Sequence, residues 1–334
     1  VPMRRNHIYG GAVLTVTLCA LLVPLSVSGR SGPKDVLKSE TGKVHLQIKL
    51  KKGQAVSIKT DLDQVISQEI NGKKQDVHQN MLMEYRYEIV NVDSEGELTV
   101  KVTYTRVHFK QEDPAGVVEY DSADPPAIIP DTALGHAALV GQHFSAKLMP
   151  DGRVTGIEGA DAMIANMLEK IDIPDRELKA QIENSLKAQF GNAGLKETME
   201  STLAVYPKKP VALGATWSKK VVLSTSLPVT VETTYTLKSR SSGLSKVDLK
   251  GRIASNPDSP PIQMGGIKLS YELSGVKTGT VEIDERTGLA TRAQLHQDLS
   301  GTINAPPGPR IPEGISWPVS IKGTMILQAS ANGR

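Results

Sequence analysis

His136 and His143 flank a short apolar run, with Asp124 and Asp131 a few residues before them, and imidazole with carboxylate is the donor set of a catalytic zinc. Their spacing matches no standard ligand pair, so they read as surface or strand histidines. His45, His78, His108 and His296 stand singly on strand-like segments and read the same way. A cation loop is the next candidate. Glu112, Asp113, Glu119, Asp121, Asp124 and Asp131 crowd one Pro-rich stretch with a permissive Gly116, but the alternating Asp pattern of a calcium loop is missing and a solvated loop is the expectation. Glycoside hydrolysis needs two carboxylates, and nothing here selects a pair. There is no Gly-x-Ser-x-Gly elbow, Gly-x-Gly-x-x-Gly loop, Walker loop or His-Glu-x-x-His helix. The sequence therefore predicts no catalytic, cofactor-binding or metal residue, although a missing motif is not a missing enzyme.

The elements that would have to position such groups are mostly strands. VHLQIKL, from Val44 to Leu50, alternates apolar and polar residues, as does LTVKVTYTRVHF from Leu98 to Phe109. Between them a hairpin turns at Asp93 to Gly96. Gln111 to Gly135 reads as a long Pro- and acid-rich loop, and QHFSAKLMPDGRVTGIEG as a second hairpin turning at Pro150, Asp151 and Gly152. Helical spacing then takes over. Met163, Ile164, Met167, Leu168 and Ile171 form one stripe, Leu178, Ile182, Leu186 and Phe190 a second, and Leu195, Met199 and Leu203 a third before Pro207. Such stripes ordinarily bury against a sheet, with a lipid surface or a partner as the other use. After the helices, alternation returns and continues, through two more Pro-rich loops, to the end.

The later strands follow the plan of the earlier ones. Gly53 to Val56 corresponds to Gly214 to Trp217, and the hairpin from Tyr87 through Gly96 to Val102 corresponds to that from Tyr235 through Gly243 to Leu249. Phe144 to Ile157, turning at Gly152, corresponds to Val281 to Ala293, turning at Gly288. The expected fold is mainly β (α+β): two degenerate copies of an antiparallel β unit, as one curved sheet or as sandwiches, with a helical insert between them. The expected divisions are residues 1–28 as a signal peptide, 36–158 as the N-terminal β unit, 160–204 as the helical segment and 206–334 as the C-terminal β unit.

The N-terminal division carries the clearest functional signal. Arg4 and Arg5 precede an apolar run from Ala12 to Pro24 and a small-residue stretch around Ser28, the three-part layout of a secretory signal. Cleavage would remove Cys19, the single cysteine, and with it any disulfide or thiol chemistry. An uncleaved N-terminal anchor is the alternative; no later segment reads as a membrane span. The expected location is extracytoplasmic, periplasmic or secreted. Net charge is +3 and without a basic patch, and aromatic residues are 4% of the chain, which together exclude nucleic-acid binding and base-stacking platforms.

YPKKPVALGATW, Tyr206 to Trp217, has prolines to end the helical layer, Gly214 for a tight turn and Trp217 to open an inward-facing strand. Its Pro-Val-x-x-Gly-x-x-Trp element, together with Gln68, Asn71 and Gly72, the Tyr120-Asp121-Ser122 loop and the turn at Asp284, Thr287 and Gly288, resembles an uncharacterised family of secreted bacterial proteins known only as a domain of unknown function. The resemblance implies a bacterial, exported, β-rich protein and brings no site residues. The functional expectation is an exported, non-enzymatic envelope protein that binds a partner or stabilises an assembly. The alternative is a carrier of an acyl chain or other apolar ligand between curved sheet and helices, and the second alternative a hydrolase without a recognisable motif.

Overall fold

A computed structural model describes residues 42–331 apart from 71, 172–175, 226, 257–260, 265–266 and 309–310. The predicted signal peptide, Cys19 and Asn71 lie outside the described residues. Thirteen strands are present among those described: β1 Ala55–Ile70, β2 Lys73–Val92, β3 Leu98–Asp113, β4 Gly116–Asp121, β5 His143–Leu148, β6 Val154–Glu158, β7 Thr216–Leu223, β8 Val229–Ser241, β9 Leu244–Ser255, β10 Ile262–Met264, β11 Ile267–Asp284, β12 Ala290–Ala305 and β13 Ile315–Ala331. Four helices accompany them, α1 Leu134–Leu139, α2 Ala160–Glu169, α3 Arg176–Phe190 and α4 Asn192–Leu203.

The strands form one large, open, antiparallel sheet in the order β6-β5-β3-β2-β1-β13-β12-β11-β9-β8-β7, with β4 added to β3 and β10 to β11. The two expected β units are thus halves of a single hydrogen-bonded sheet, joined where β13 pairs with both β1 and β12. In each half the chain lays down a meander, three strands in sequence and then, after an interrupting piece, two more in the first half and three in the second. Alternation dictates which face is buried: on β1, Val56, Ile58, Leu62 and Ile66 point inward and Lys59 and Asp63 outward. One contiguous core runs along the whole inner face. β11 and β12 approach so closely that a side chain on Gly275, Gly279 or Gly301 would meet the partner strand, so these glycines permit the sheet to fold over there.

The helices fill the gap between the sheet's two edges. α4 packs against both edge strands, β6 and β7. Glu200 on α4 accepts the Val154 N–H of β6 at 3.3 Å, and Glu197 accepts the backbone N–H groups of Ser224 and Thr225, just after β7, at 2.9 and 3.1 Å. Of the second helical stripe, Ile182 packs on the core and Leu186 and Phe190 are buried, Phe190 edge-on to Tyr104 of β3 with ring centroids 6.2 Å apart. α3 otherwise packs on α2 and α4, so its stripe faces helices as much as sheet. The side chain of Leu178 lies outside the described residues.

Two expectations need correction. Val44 to Leu50 is not a strand of the sheet but an extended arm. Val44, Leu46 and Ile48 are buried, and the backbone bonds go to Val211, Pro150 and Thr287 at 2.8 to 2.9 Å. A short apolar alternation is common to strand and arm; the partner decides, and here it is the turns of two hairpins and the segment before β7. The Gln111 to Gly135 stretch is not all loop either. Asp113 Oδ1 accepts the Ala115 N–H at 2.7 Å and turns the chain into β4, and α1 follows.

Candidate functional site

The acidic loop and the histidines do not converge. Asp121 is held by Arg106 through two bonds of 3.2 and 2.7 Å, Glu119 lies 2.9 Å from His108, and Asp113 accepts from Gln111 at 2.9 Å. The Arg106 hydrogen bond keeps the Asp121 carboxyl below its ordinary pKa. His136, on α1, stacks on Phe109 at 4.5 Å, and burial pushes its pKa down to about 4, while His143 is exposed at the start of β5. Among the described residues no three metal-ligating side chains come together. Trp217, half-buried in β7, stacks on Tyr235 at 5.8 Å and donates its indole N–H to the Val205 carbonyl at 2.9 Å, as a strand-opening core residue.

What the structure does bring together is a row of polar residues across the inner face. Register pairs Gln111 of β3 with Gln79 of β2, Gln79 with Gln64 of β1, Gln64 with Gly323 of β13 and Gly323 with Gln297 of β12. It then pairs Gln297 with Lys277 of β11, Lys277 with Gly251 of β9, Gly251 with Thr233 of β8 and Thr233 with Lys219 of β7. Nine strands each contribute one residue at one level. Gln64, Gln79, Gln111, Gln297, Lys277 and Thr233 are all buried. Two residues away along the strands the inner face is apolar again, with Leu62, Met81, Phe109, Met325, Leu295, Leu249 and Tyr235 on one side and Ile66, Val77, Ile321, Leu299, Ile253 and Val231 on the other.

The first part of the row is a directed chain of amides. Gln64 Nε2 donates to Gln79 Oε1 at 2.7 Å, Gln79 Nε2 to Gln111 Oε1 at 2.9 Å, and Gln111 Nε2 to the Asp113 carboxylate at 2.9 Å. The carboxylate, which can only accept, fixes the orientation of every amide behind it. The chain stops at Gln64 Oε1, which is buried and has no hydrogen-bond partner, as have both amide atoms of Gln297. Between these two glutamines lies Gly323, where an added methyl would sit 3.3 Å from Gln64 Cβ and 3.4 Å from Gln297 Nε2. At Gly251 an added methyl would sit 2.8 Å from Lys277 Cγ and 3.0 Å from Thr233 Oγ1, so the missing side chain there is what lets the lysine stem lie across β9. Burial lowers the Lys277 pKa from 10.5 to about 8, with no carboxylate among the described residues to offset it. Donors and acceptors aligned in an apolar wall can bind and orient a polar group.

Sequence reasoning missed this row because no two of its residues are neighbours in the chain. The available signal was parity: Gln64 between Leu62 and Ile66, Gln79 between Val77 and Met81, and Gln297 between Leu295 and Leu299 each place an amide on an apolar face. Only the register shows that they share one level. The opposite face has an open groove of about 840 Å³ lined by Asp61, Asp63, His296, Asp298 and Lys322, but its polar groups largely pair with one another, Asn80 with Asp61 at 3.2 Å and Lys322 with Asp298 at 3.5 Å.

A model of a family of unknown function, DUF6263, matches residues 95–290, more than half of the chain, and the chain belongs to that family. No curated protein matches the sequence. Among solved structures, that of lipovitellin, titled for its lipid–protein interactions, has 10% sequence identity and a TM-score of 0.46, covering 85% of this chain and 26% of the other. The chain thus spans about a quarter of the lipovitellin chain. An outer-membrane channel from Pseudomonas putida F1 has 6% identity and a TM-score of 0.21, covering 84% of this chain and 97% of the other, and OpdQ of Pseudomonas aeruginosa has 6% and 0.21, covering 85% and 100%. At these scores the likenesses carry no weight for function. No helix among the described residues is long and apolar enough to cross a membrane.

Proposed function

We propose that this member of a family of unknown function is an exported, non-enzymatic binding protein whose ligand engages the polar row inside the sheet. One observation carries the reading: where the hydrogen-bonded chain of Gln111, Gln79 and Gln64 ends, Gln64 Oε1 and both amide atoms of Gln297, the next side chain along the row, are buried without partners. Each such group costs about 1 to 3 kcal/mol when left unsatisfied, and folded proteins seldom retain them unless something fills the site. An apolar carrier is less well supported. A gap between Ile48, Val56, Tyr87, Val100 and Leu289, on the purely apolar part of the inner face, holds about 10 Å³, so a chain would have to lie beside the row and not there.

Native mass spectrometry of the protein purified from its own host without denaturation tests the proposal. A non-protein mass in near-stoichiometric amount, lost on denaturation, is expected; a bare polypeptide mass in every preparation refutes it. Export is tested separately by N-terminal sequencing of the same material, which should begin near Ser28. A chain beginning at Met3 and recovered from the cytosol would end that part.

We also infer that the two halves of the sheet descend from one duplicated unit. Local irregularities recur in the same places. The Gly53 and Gly214 N–H groups bond to Ile89 and Leu237, each at 2.8 Å, and Ile89 and Leu237 bond back to Gln54 and Ala215. A register shift follows each of these partners, at Ile89/Asn91 and at Leu237/Ser239, and another occurs at Lys147/Leu148 and at Glu282/Ile283. Bulges are conserved features of a strand pair, and such coincidences support common descent of the halves more strongly than strand order alone.

A further inference from the structure

Lys277 is the one charged side chain on the row between Gln111 and Thr233, and among the described residues no carboxylate is paired with it. Along β11 its inward neighbours are Gly275 and Gly279; on β9 they are Gly251 flanked by Leu249 and Ile253, and on β12 Gln297 flanked by Leu295 and Leu299. Asp298, adjacent to Gln297 in sequence, lies on the other face with Lys322 at 3.5 Å. Asp113 is on β3, at the far end of the row beyond Gln111. The Lys277 side chain is 6% exposed. An isolated buried ammonium is strongly disfavoured, and folded proteins keep one where a counter-charge meets it.

We infer that the ligand group received by the row is a carboxylate, paired with Lys277 Nζ where the lysine stem lies across Gly251 towards Thr233. This rests on the row being a binding site. It follows from matching chemistry: one positive charge, with the neutral hydroxyl of Thr233 beside its stem, meets a monoanion with two acceptor oxygens. A phosphate dianion would leave a negative charge uncompensated between two apolar bands. Gln297 Oε1 and Gln64 Oε1 remain acceptors and take donors from a hydroxyl or water beside the carboxylate. The carboxylate has two sources, a short free acid or the head of a chain whose apolar part lies along the flanking bands.

Titration calorimetry on the full chain at neutral pH, with acetate, octanoate and octanol, tests the inference and separates the sources. Octanoate, or acetate, is expected to bind; octanol, which has the chain without the charge, is expected to bind at least about tenfold more weakly than octanoate. Acetate binding as tightly as octanoate assigns a short acid, and octanoate alone assigns a chain-bearing one. Lys277→Met, nearly isosteric, should weaken carboxylate binding about tenfold or more without lowering the thermal midpoint. Equal affinity for octanoate and octanol in the wild type, which needs no variant to fold, overturns the inference, as does a Lys277→Met protein that binds carboxylate unchanged. A neutral native ligand retained by Lys277→Met would sink the carboxylate and leave the row as the binding site. If the native protein carries nothing and no probe binds, both fall together.

Discussion

The indole of Trp217 donates to the backbone carbonyl of Val205 at 2.9 Å while its ring lies nearly parallel to that of Tyr235, 15° apart in plane. This pair of contacts ties edge strand β7 to the end of the helical layer. Trp217→Ala should therefore cost about 3 to 4 kcal/mol, combining lost burial with the cavity left behind, and Trp217→Phe about 1 kcal/mol for the lost hydrogen bond. Urea midpoints of the three proteins check this. An unchanged midpoint for Trp217→Ala, with solvent-exposed emission in the wild type, would mean that the residue serves a ligand instead.

The inward role of Trp217 was legible because Gly-x-x-Trp after two prolines has one sensible geometry, and the later hairpins and helices were legible because period 2 and period 3.6 differ over ten residues. The arm at Val44 was not, since four alternating apolar residues fit a strand or an arm equally well and its partners, Val211, Pro150 and Thr287, are far away in the sequence. The hairpin at Asp113 was hidden by its prolines and acids. The row from Gln111 to Lys219 was legible only as single polar residues on apolar faces and not as one level, because the pairing register that aligns them is not written in any one strand.

Gly288, in the β11–β12 turn at φ 74°, lies under the arm, and a side chain there would run into the Gln47 carbonyl. Tyr206 holds the same turn from the other side, its hydroxyl donating to the Gly288 carbonyl at 2.7 Å. Gly214 has a similar φ of 79° but open space around it. Gly288→Ala should thus be destabilising by more than about 2 kcal/mol and Gly214→Ala by only about 1 kcal/mol, the backbone contribution alone. Thermal midpoints separate them, and equal shifts would mean that the arm does not pack on the turn as described.

Arg240 and Glu285 form a bidentate pair, at 2.8 and 2.7 Å, with Ser245 donating to the carboxylate at 2.6 Å and the Gly42 carbonyl accepting from the guanidinium at 2.6 Å. With both side chains nearly buried, Arg240→Ala should cost about 3 to 5 kcal/mol because a buried carboxylate loses its partner. The hydrogen bond from Arg240 holds the Glu285 pKa below its ordinary value. In that case the unfolded chain binds the proton first on acidification. The stabilisation is complete above the ordinary carboxylate pKa of about 4.3 and is lost as pH falls through the lower folded value. The stability gap between wild type and Arg240→Ala should narrow below about pH 4; a gap independent of pH down to acid unfolding would count against the pair.

Lys277 shifts stability with pH in the same direction, but through a penalty on its charged form and not a stabilisation. Burial lowers its folded pKa from 10.5 to about 8, so between those values the unfolded chain binds a proton that the native chain does not. Stability therefore rises with pH across that window, and below it the ligand-free protein carries the full penalty, about 3 kcal/mol at neutral pH. Lys277→Met removes the charge and keeps the stem. In the ligand-free protein it should raise stability by about that amount at neutral pH, with the gain shrinking above pH 8 and vanishing near 10.5. Urea midpoints of both proteins at neutral and alkaline pH decide the matter. A methionine variant that is less stable than the wild type at every pH would show that the ammonium already has a partner inside the fold, and that the row is complete without a ligand.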